Sequence, residues 1–228
     1  MLKELLHFTV HAPSTLAMKR KLSHVELYDT LMLRAEDAGL AKWRAALVED
    51  VAGRVLEIGC GTGLMFQHYN PGASLSAIEP EAEFLESAKK RAESSPAQVF
   101  LALSDGQMLP FHSDSFDYVI VSLVLCSVPS VKTVLDEIKR VLKDGGELRL
   151  IEHVRSTRPL NGLVMDILNP LWRALNNQGC NMNRETESAL EKNGFELKEV
   201  KPFKTFTPGL PAFPNRWIKA SLARSEKL

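Results

Sequence analysis

The sequence predicts an α/β protein built on a doubly wound parallel sheet. Three observations predict it. Short apolar runs rich in β-branched residues recur along the chain, longer amphipathic stretches separate them, and the first run feeds into a glycine-rich turn. With 228 residues, 45% hydrophobic and 25% charged, the chain can bury one full core and matches no disordered composition.

Taken in order, Val25, Tyr28, Met32 and Ala35 recur at helical spacing, as do Trp43, Leu47 and Val48, so two helices precede the first strand. Strands are expected over Arg54–Ile58, Ser74–Ile78, Gln98–Leu103, Phe116–Ser122 and Glu147–Glu152. Glu81–Glu93 and Val131–Leu142 are long and amphipathic enough to be crossover helices, and Asp144-Gly145-Gly146 ends the second and turns the chain into the fifth strand. Phe195–Lys201 and Arg216–Leu222 read as two more strands, joined through Pro202, Pro208, Pro211 and Pro214. With no helix between them they should pair antiparallel. The stretch "NRETESALEKNG" reads as a capped helix with Asn183 at its N-cap and Gly194 past its end. No repeat or linker divides the chain, so a single domain is expected over 1–228.

Charge and cysteine content narrow the partners. Lys plus Arg equals Asp plus Glu at 28 each, so no net field draws the chain to nucleic acid. The basic end, with six Lys/Arg from Lys201 onward against Glu226, reads as a solvated rim. Cys60, Cys126 and Cys180 are odd in number and lack metal-ligand spacing, so free thiols, no metal and a reducing, cytoplasmic setting are expected. The N-terminal "MLKELLHFTVHAPSTLAMKRKL" is interrupted by Lys3, Glu4, His7 and Pro13. It is too polar for a membrane span but leaves peripheral membrane contact open.

The turn lies in "VLEIGCGTGLMFQHY", Val55–Tyr69: a strand, three glycines, then Leu64, Met65 and Phe66 to open a helix. Glycine tolerates positive φ and lets backbone N–H groups approach a ligand. The dinucleotide fingerprint fails, because its last position holds Leu64 counting from Gly59 and Phe66 counting from Gly61. What stands here is E-x-G-x-G-x-G. The Glu57 carboxylate would repel a pyrophosphate yet suits a ligand carrying an ammonium group. About twenty residues on, "LSAIEP" places Glu79 at the next strand end, where an acid can accept both hydroxyls of a ribose. After the third strand, Asp105 of "SDGQMLPF" could accept from an adenine amino group.

These segments, with "EIKRVLKDGGELRLIEH", resemble in order the signatures of the class I S-adenosylmethionine-dependent methyltransferases. The resemblance implies a seven-stranded Rossmann-like sheet, order 3-2-1-4-5-7-6 with strand seven antiparallel. It implies S-adenosyl-L-methionine as cofactor and S-adenosyl-L-homocysteine as product. By position, Gly59, Gly61 and Gly63 would line the methionine moiety, Glu79 the ribose, and Asp105, Gly106 and Gln107 the adenine. Ser122 and Leu123 would flank the sulfonium, and Tyr28, Glu57, Cys60 and Pro80 join the cofactor set.

"LVLCSV", "IEHV", "LNPLWRAL" and "GCNMNRET" are similar to the thiol S-methyltransferases of the methyltransferase-like seven group, a resemblance that implies an apolar membrane-anchoring N-terminus, from which the polar-interrupted "MLKELLHFTVHAPSTLAMKRKL" departs. Residues 1–50 would then form a cap or lid, 51–228 the sheet core and 154–194 the acceptor-pocket excursion. On the acceptor side His153 stands between a general base and a structural histidine. Cys126 reads as a small buried hydrophobe, Glu152 as a support and Trp172 as core or pocket wall.

A small-molecule acceptor is expected, a thiol foremost, with a quinone, phenol or lipid amine as runner-up. A non-catalytic adenosylmethionine-binding module and a membrane-surface interaction protein stay open, as do monomer and homodimer. The Asn/Asp-Pro-Pro-Tyr/Phe segment of nucleic-acid amine methylation is missing after strand four.

Overall fold

The computed structural model describes residues 22–176, 178–204 and 214–223. Its strands are β1 Gly53–Ile58, β2 Ala73–Glu79, β3 Gln98–Leu103, β4 Phe116–Ser122, β5 Leu142–His153, β6 Phe195–Phe203 and β7 Asn215–Leu222. They form one seven-stranded sheet in the order β3-β2-β1-β4-β5-β7-β6. β1 to β5 run parallel, and β7 lies antiparallel between β5 and β6. All seven expected strands are present. β5 starts earlier than expected because α4, Val131–Val141, ends before the Asp144–Gly146 turn, and that turn sits inside the β5 run where pairing with β4 shifts register.

Alternate residues of each central strand serve opposite faces of the sheet, as two-residue periodicity requires. Val55, Ile120 and Ile151 pack into one core, with Leu47, Phe66 and Trp217. Leu56, Val119, Val121 and Leu150 pack into the other, with Val134, Leu135 and Ile138 of α4. Helices α1 His24–Ala35, α2 Ala41–Val48 and α3 Ala82–Glu93 cover the first face, while α4 and α6, Thr186–Lys192, cover the second. Burial on both faces is what the unbroken apolar runs of a parallel sheet are for. A capping box starts α1: Ser23 Oγ accepts from Glu26 N at 3.2 Å, and the Glu26 carboxylate accepts from Ser23 N at 2.8 Å.

Three local expectations are corrected. No α-helix opens at Leu64. The chain makes one 3-10 turn, Phe66–His68, because Pro71-Gly72 returns it to β2 within a few residues. Asn183 does not cap α6, which begins after Glu185; its side chain donates instead to Asp166 Oδ1 at 3.1 Å. The excursion contains a long helix that the sequence reading lacks, α5 Pro159–Leu175, with Pro170 in its interior. Leu160, Leu163, Ile167 and Leu171 of α5 are exposed, while Met165 packs with Met182 and Trp172.

Among the described residues no helix is long and apolar enough to cross a membrane. The first 21 residues of the expected cap or lid lie outside the described residues, as do Pro208 and Pro211.

Candidate functional site

The parallel strands deliver their carboxyl ends to one edge, where ligands bind in such sheets. After β1 the chain turns through Gly59, Gly61 and Gly63, at φ 67°, 56° and 83°. A Cβ at Gly59 would stand 2.6 Å from Val124 Cγ2, and one at Gly61 3.1 Å from Tyr28 Oη. The missing side chain of Gly63 makes room for Phe66, so this glycine serves packing. Glu79, buried at the end of β2, braces the loop: one oxygen accepts from Gly61 N at 2.9 Å and the other from Glu81 N at 3.1 Å. Burial pushes its pKa up, against those two hydrogen bonds.

Helix α1 is fastened over this loop. The Thr62 hydroxyl donates to Asp29, and Arg91 of α3 donates to Asp29 Oδ2 at 2.9 Å and to Thr62 O at 2.8 Å. Beneath α1, a polar pocket is lined by Tyr28, Arg44, Glu57, Gly59, Cys60 and Ser122. Burial lifts the Glu57 carboxyl to about 7, while a hydrogen bond from Tyr69 at 2.9 Å opposes that rise. Burial pushes the Tyr28 hydroxyl to about 12. Arg44 is buried, donating to Glu36 at 2.7 Å and to Ser122 Oγ at 3.3 Å. Asp29, Arg44 and Tyr69 were not singled out from the sequence. Asp29 and Arg44 are brought in only by the packing of α1 and α2 on the sheet, and Tyr69 closes the glycine-loop stretch but shows its role only through its bond to Glu57.

One strand further out, Ser104 N donates to Glu79 O at 3.1 Å, which sets the turn after β3 beside Glu79. Asp105 accepts from Gln107 N at 2.9 Å and from Gln107 Nε2 at 3.1 Å, a closed turn around the buried Gly106. Pro80 is exposed at the end of β2. Past β4, Leu123 sits at φ 63°, a left-handed conformation uncommon without glycine, held by Leu123 N donating to Ile151 O at 2.7 Å.

Across the edge, Glu152 is fully buried and accepts from the N–H groups of Val124, Leu125 and Cys126 at 2.8, 2.7 and 3.0 Å. It is the support expected, and burial pushes its pKa to about 7 against those three bonds. His153 Nδ1 lies 3.5 Å from Cys180 Sγ. Hydrogen bonding from Cys126, His153 and Trp172 holds the Cys180 thiol well below its ordinary pKa, despite burial. Trp172 therefore reaches this site as well as packing on Met165. Asn181 pins the excursion, its N and Nδ2 donating to Cys126 O at 2.8 and 2.9 Å, and Arg184 donates to Val128 O at 2.8 Å. His24 of α1 meets Gln178 at 2.8 Å, so one helix touches both the glycine loop's clamp and the excursion.

Residues 56–150 match the family described as methyltransferase domain. The thiol S-methyltransferase TMT1A of Homo sapiens is 33% identical over 195 residues, covering 84% of this chain and 73% of that one. The thiol S-methyltransferase TMT1B of Rattus norvegicus is 36% identical over 163 residues, covering 68% of this chain and 66% of that one. The solved structure of a Bacillus halodurans protein described as a methyltransferase matches with TM-score 0.68 at 18% identity, covering 82% of this chain and 100% of that one. At that identity it speaks for the fold alone.

Proposed function

The chain belongs to the S-adenosylmethionine-dependent methyltransferases, and from that membership we propose that it methylates a small-molecule thiol. The observation that carries this reading is the convergence of His153, Cys126 and the Asn181 segment beside the Ser122–Leu123 strand end. Likeness to thiol S-methyltransferases at 33% and 36% identity supports it.

The chemistry of the residues lining the pocket under α1 suits adenosylmethionine. Two positive-φ glycines leave no room for side chains, and a buried carboxylate lies beside them to balance an ammonium group. Bound adenosylmethionine supplies an activated methyl group on a sulfonium sulfur. We assign Gly59, Cys60 and Gly61 to its methionine end with Glu57 on the ammonium and Tyr28 above, while Gly63, expected there from the sequence, shapes the loop by making room for Phe66. Glu79 and Pro80 take the ribose, Asp105, Gly106 and Gln107 the adenine, and Ser122 and Leu123 the approach to the sulfonium. In-line transfer from such a donor depends mainly on alignment and exclusion of water, so the chain's main task is to hold two partners at the sheet edge. In this reading His153 takes the acceptor's proton.

A turnover screen of thiol, phenol and amine acceptors, followed by adenosylhomocysteine release, tests the reading. Thiols should turn over fastest. Turnover confined to phenols or amines, or cofactor binding without any turnover, overturns it.

A further inference from the structure

The sequence separates Cys126, His153 and Cys180 too widely for a metal motif, yet the ends of β4, β5 and the excursion bring them together. Their three ligand atoms all lie within 4.8 Å of one another, and His153 Nδ1 stands 3.5 Å from Cys180 Sγ. Tetrahedral zinc, with Zn–S about 2.3 Å and Zn–N about 2.0–2.1 Å, sets neighbouring sulfur and nitrogen ligands about 3.5 Å apart and two sulfurs about 3.8 Å apart. Closing the cluster onto an ion thus needs a movement of about 1 Å or less.

We propose that Cys126 Sγ, Cys180 Sγ and His153 Nδ1 form a three-ligand site for a thiophilic divalent cation such as Zn²⁺. Two sulfurs and one imidazole suit zinc and exclude the oxygen-seeking magnesium and calcium. Each ligand-bearing segment is already held in place. The buried Glu152 carboxylate takes the N–H of Cys126, and Asn181 takes its carbonyl through both N and Nδ2. Asn176 accepts from Cys180 N at 2.7 Å and donates to Cys180 O at 3.0 Å. Supporting bonds of this kind orient ligands and raise metal affinity. Cys126 and Cys180 are 1% and 8% exposed, so two thiolates and a dication would neutralise one another in a site largely shielded from solvent. Three protein ligands leave a fourth position for water or an added thiol.

The ion would engage the lone pair on His153 that the methyl-transfer reading reserves for a proton. Zinc loading should therefore suppress the base-assisted part of turnover, a consequence that rests on that reading while the site itself does not.

The test is a Co²⁺ titration of the reduced, chelator-washed full chain. One equivalent should bind with an intense thiolate-to-cobalt charge-transfer band that Zn²⁺ displaces, and Cys126→Ser and Cys180→Ser should each weaken binding by at least about tenfold. An unchanged adenosylhomocysteine-induced melting shift shows that the variants are folded. On the unmodified protein, Zn²⁺ should protect Cys126 and Cys180 from alkylation in peptide mass mapping. Absence of the band, a band that survives in both variants, or equal alkylation with and without Zn²⁺ overturns the site. Zinc binding without loss of thiol methylation keeps the site and removes His153 from proton transfer.

Discussion

The Tyr69 hydroxyl donates to the Glu57 carboxylate at 2.9 Å, and both side chains are buried. Burial lifts Glu57 to about 7, so below that pH the neutral acid dominates and cannot balance an ammonium group. Cofactor affinity should rise as pH rises through about 7 and fall by up to about tenfold per unit below it. Tyr69→Phe removes a bond that favours the charged form and should move the midpoint upward, while Glu57→Gln should flatten the curve. Calorimetric titration across about pH 5.5–8.5 checks this. An affinity independent of pH in the unmodified protein would mean that Glu57 does not face the ligand's charge.

Glu79→Ala removes the acceptor for Gly61 N as well as any ribose contact. The cost in cofactor affinity should be about 1.5–3 kcal/mol, the range for hydrogen bonds to charged groups. Unchanged affinity in a folded variant would reduce Glu79 to a loop brace whose loss the turn tolerates.

Gly59→Ala and Gly145→Ala separate backbone strain from crowding. Both positions have positive φ, 67° and 77°, but an added Cβ meets Val124 at 2.6 Å in the first and nothing within 4 Å in the second. Thermal unfolding should show about 1 kcal/mol lost at Gly145 and about 2–4 kcal/mol at Gly59. Only the Gly59 variant should also weaken adenosylhomocysteine binding. Equal losses would mean that Val124 moves aside freely.

His153→Ala, in metal-free protein, should lower thiol turnover by no more than about 30-fold at pH 7. A thiol of pKa about 8.5 is already about 3% thiolate there. The deficit should shrink as pH rises past about 8.5, with cofactor affinity unchanged. A loss of several hundredfold would instead point to a weaker acid such as a phenol, for which about a thousandfold depends on deprotonation.

What was legible in the sequence was local. Runs such as Arg54–Ile58 and Phe116–Ser122 show as strands because a strand buried on both faces needs an unbroken apolar, β-branched run. The glycine loop shows because its chemistry lies in consecutive residues. Leu64–Phe66 misled because the same apolar residues that open a helix also fill the space beneath a 3-10 turn. Helix α5 was hidden by Pro170 and Gly162, both poor helix formers, in a segment where packing overrides propensity. Arg44, Tyr69 and the Cys126–His153–Cys180 cluster were invisible for another reason: their partners lie on other elements, and only the topology makes them neighbours.

The position of β7 has a consequence for synthesis. β5 ends at His153, and its partner begins at Asn215, which the ribosome adds about 60 residues and roughly 3 to 12 s later at about 5–20 residues per second. Throughout that interval the nascent chain offers β5 as an open edge carrying Leu148, Leu150 and Ile151, ready to pair with any other extended segment. Neither β6 nor α5 can close it, since β6 pairs only with β7. A chaperone that shields this strand should therefore raise soluble yield, and a ribosomal pause just after residue 153 should lower it.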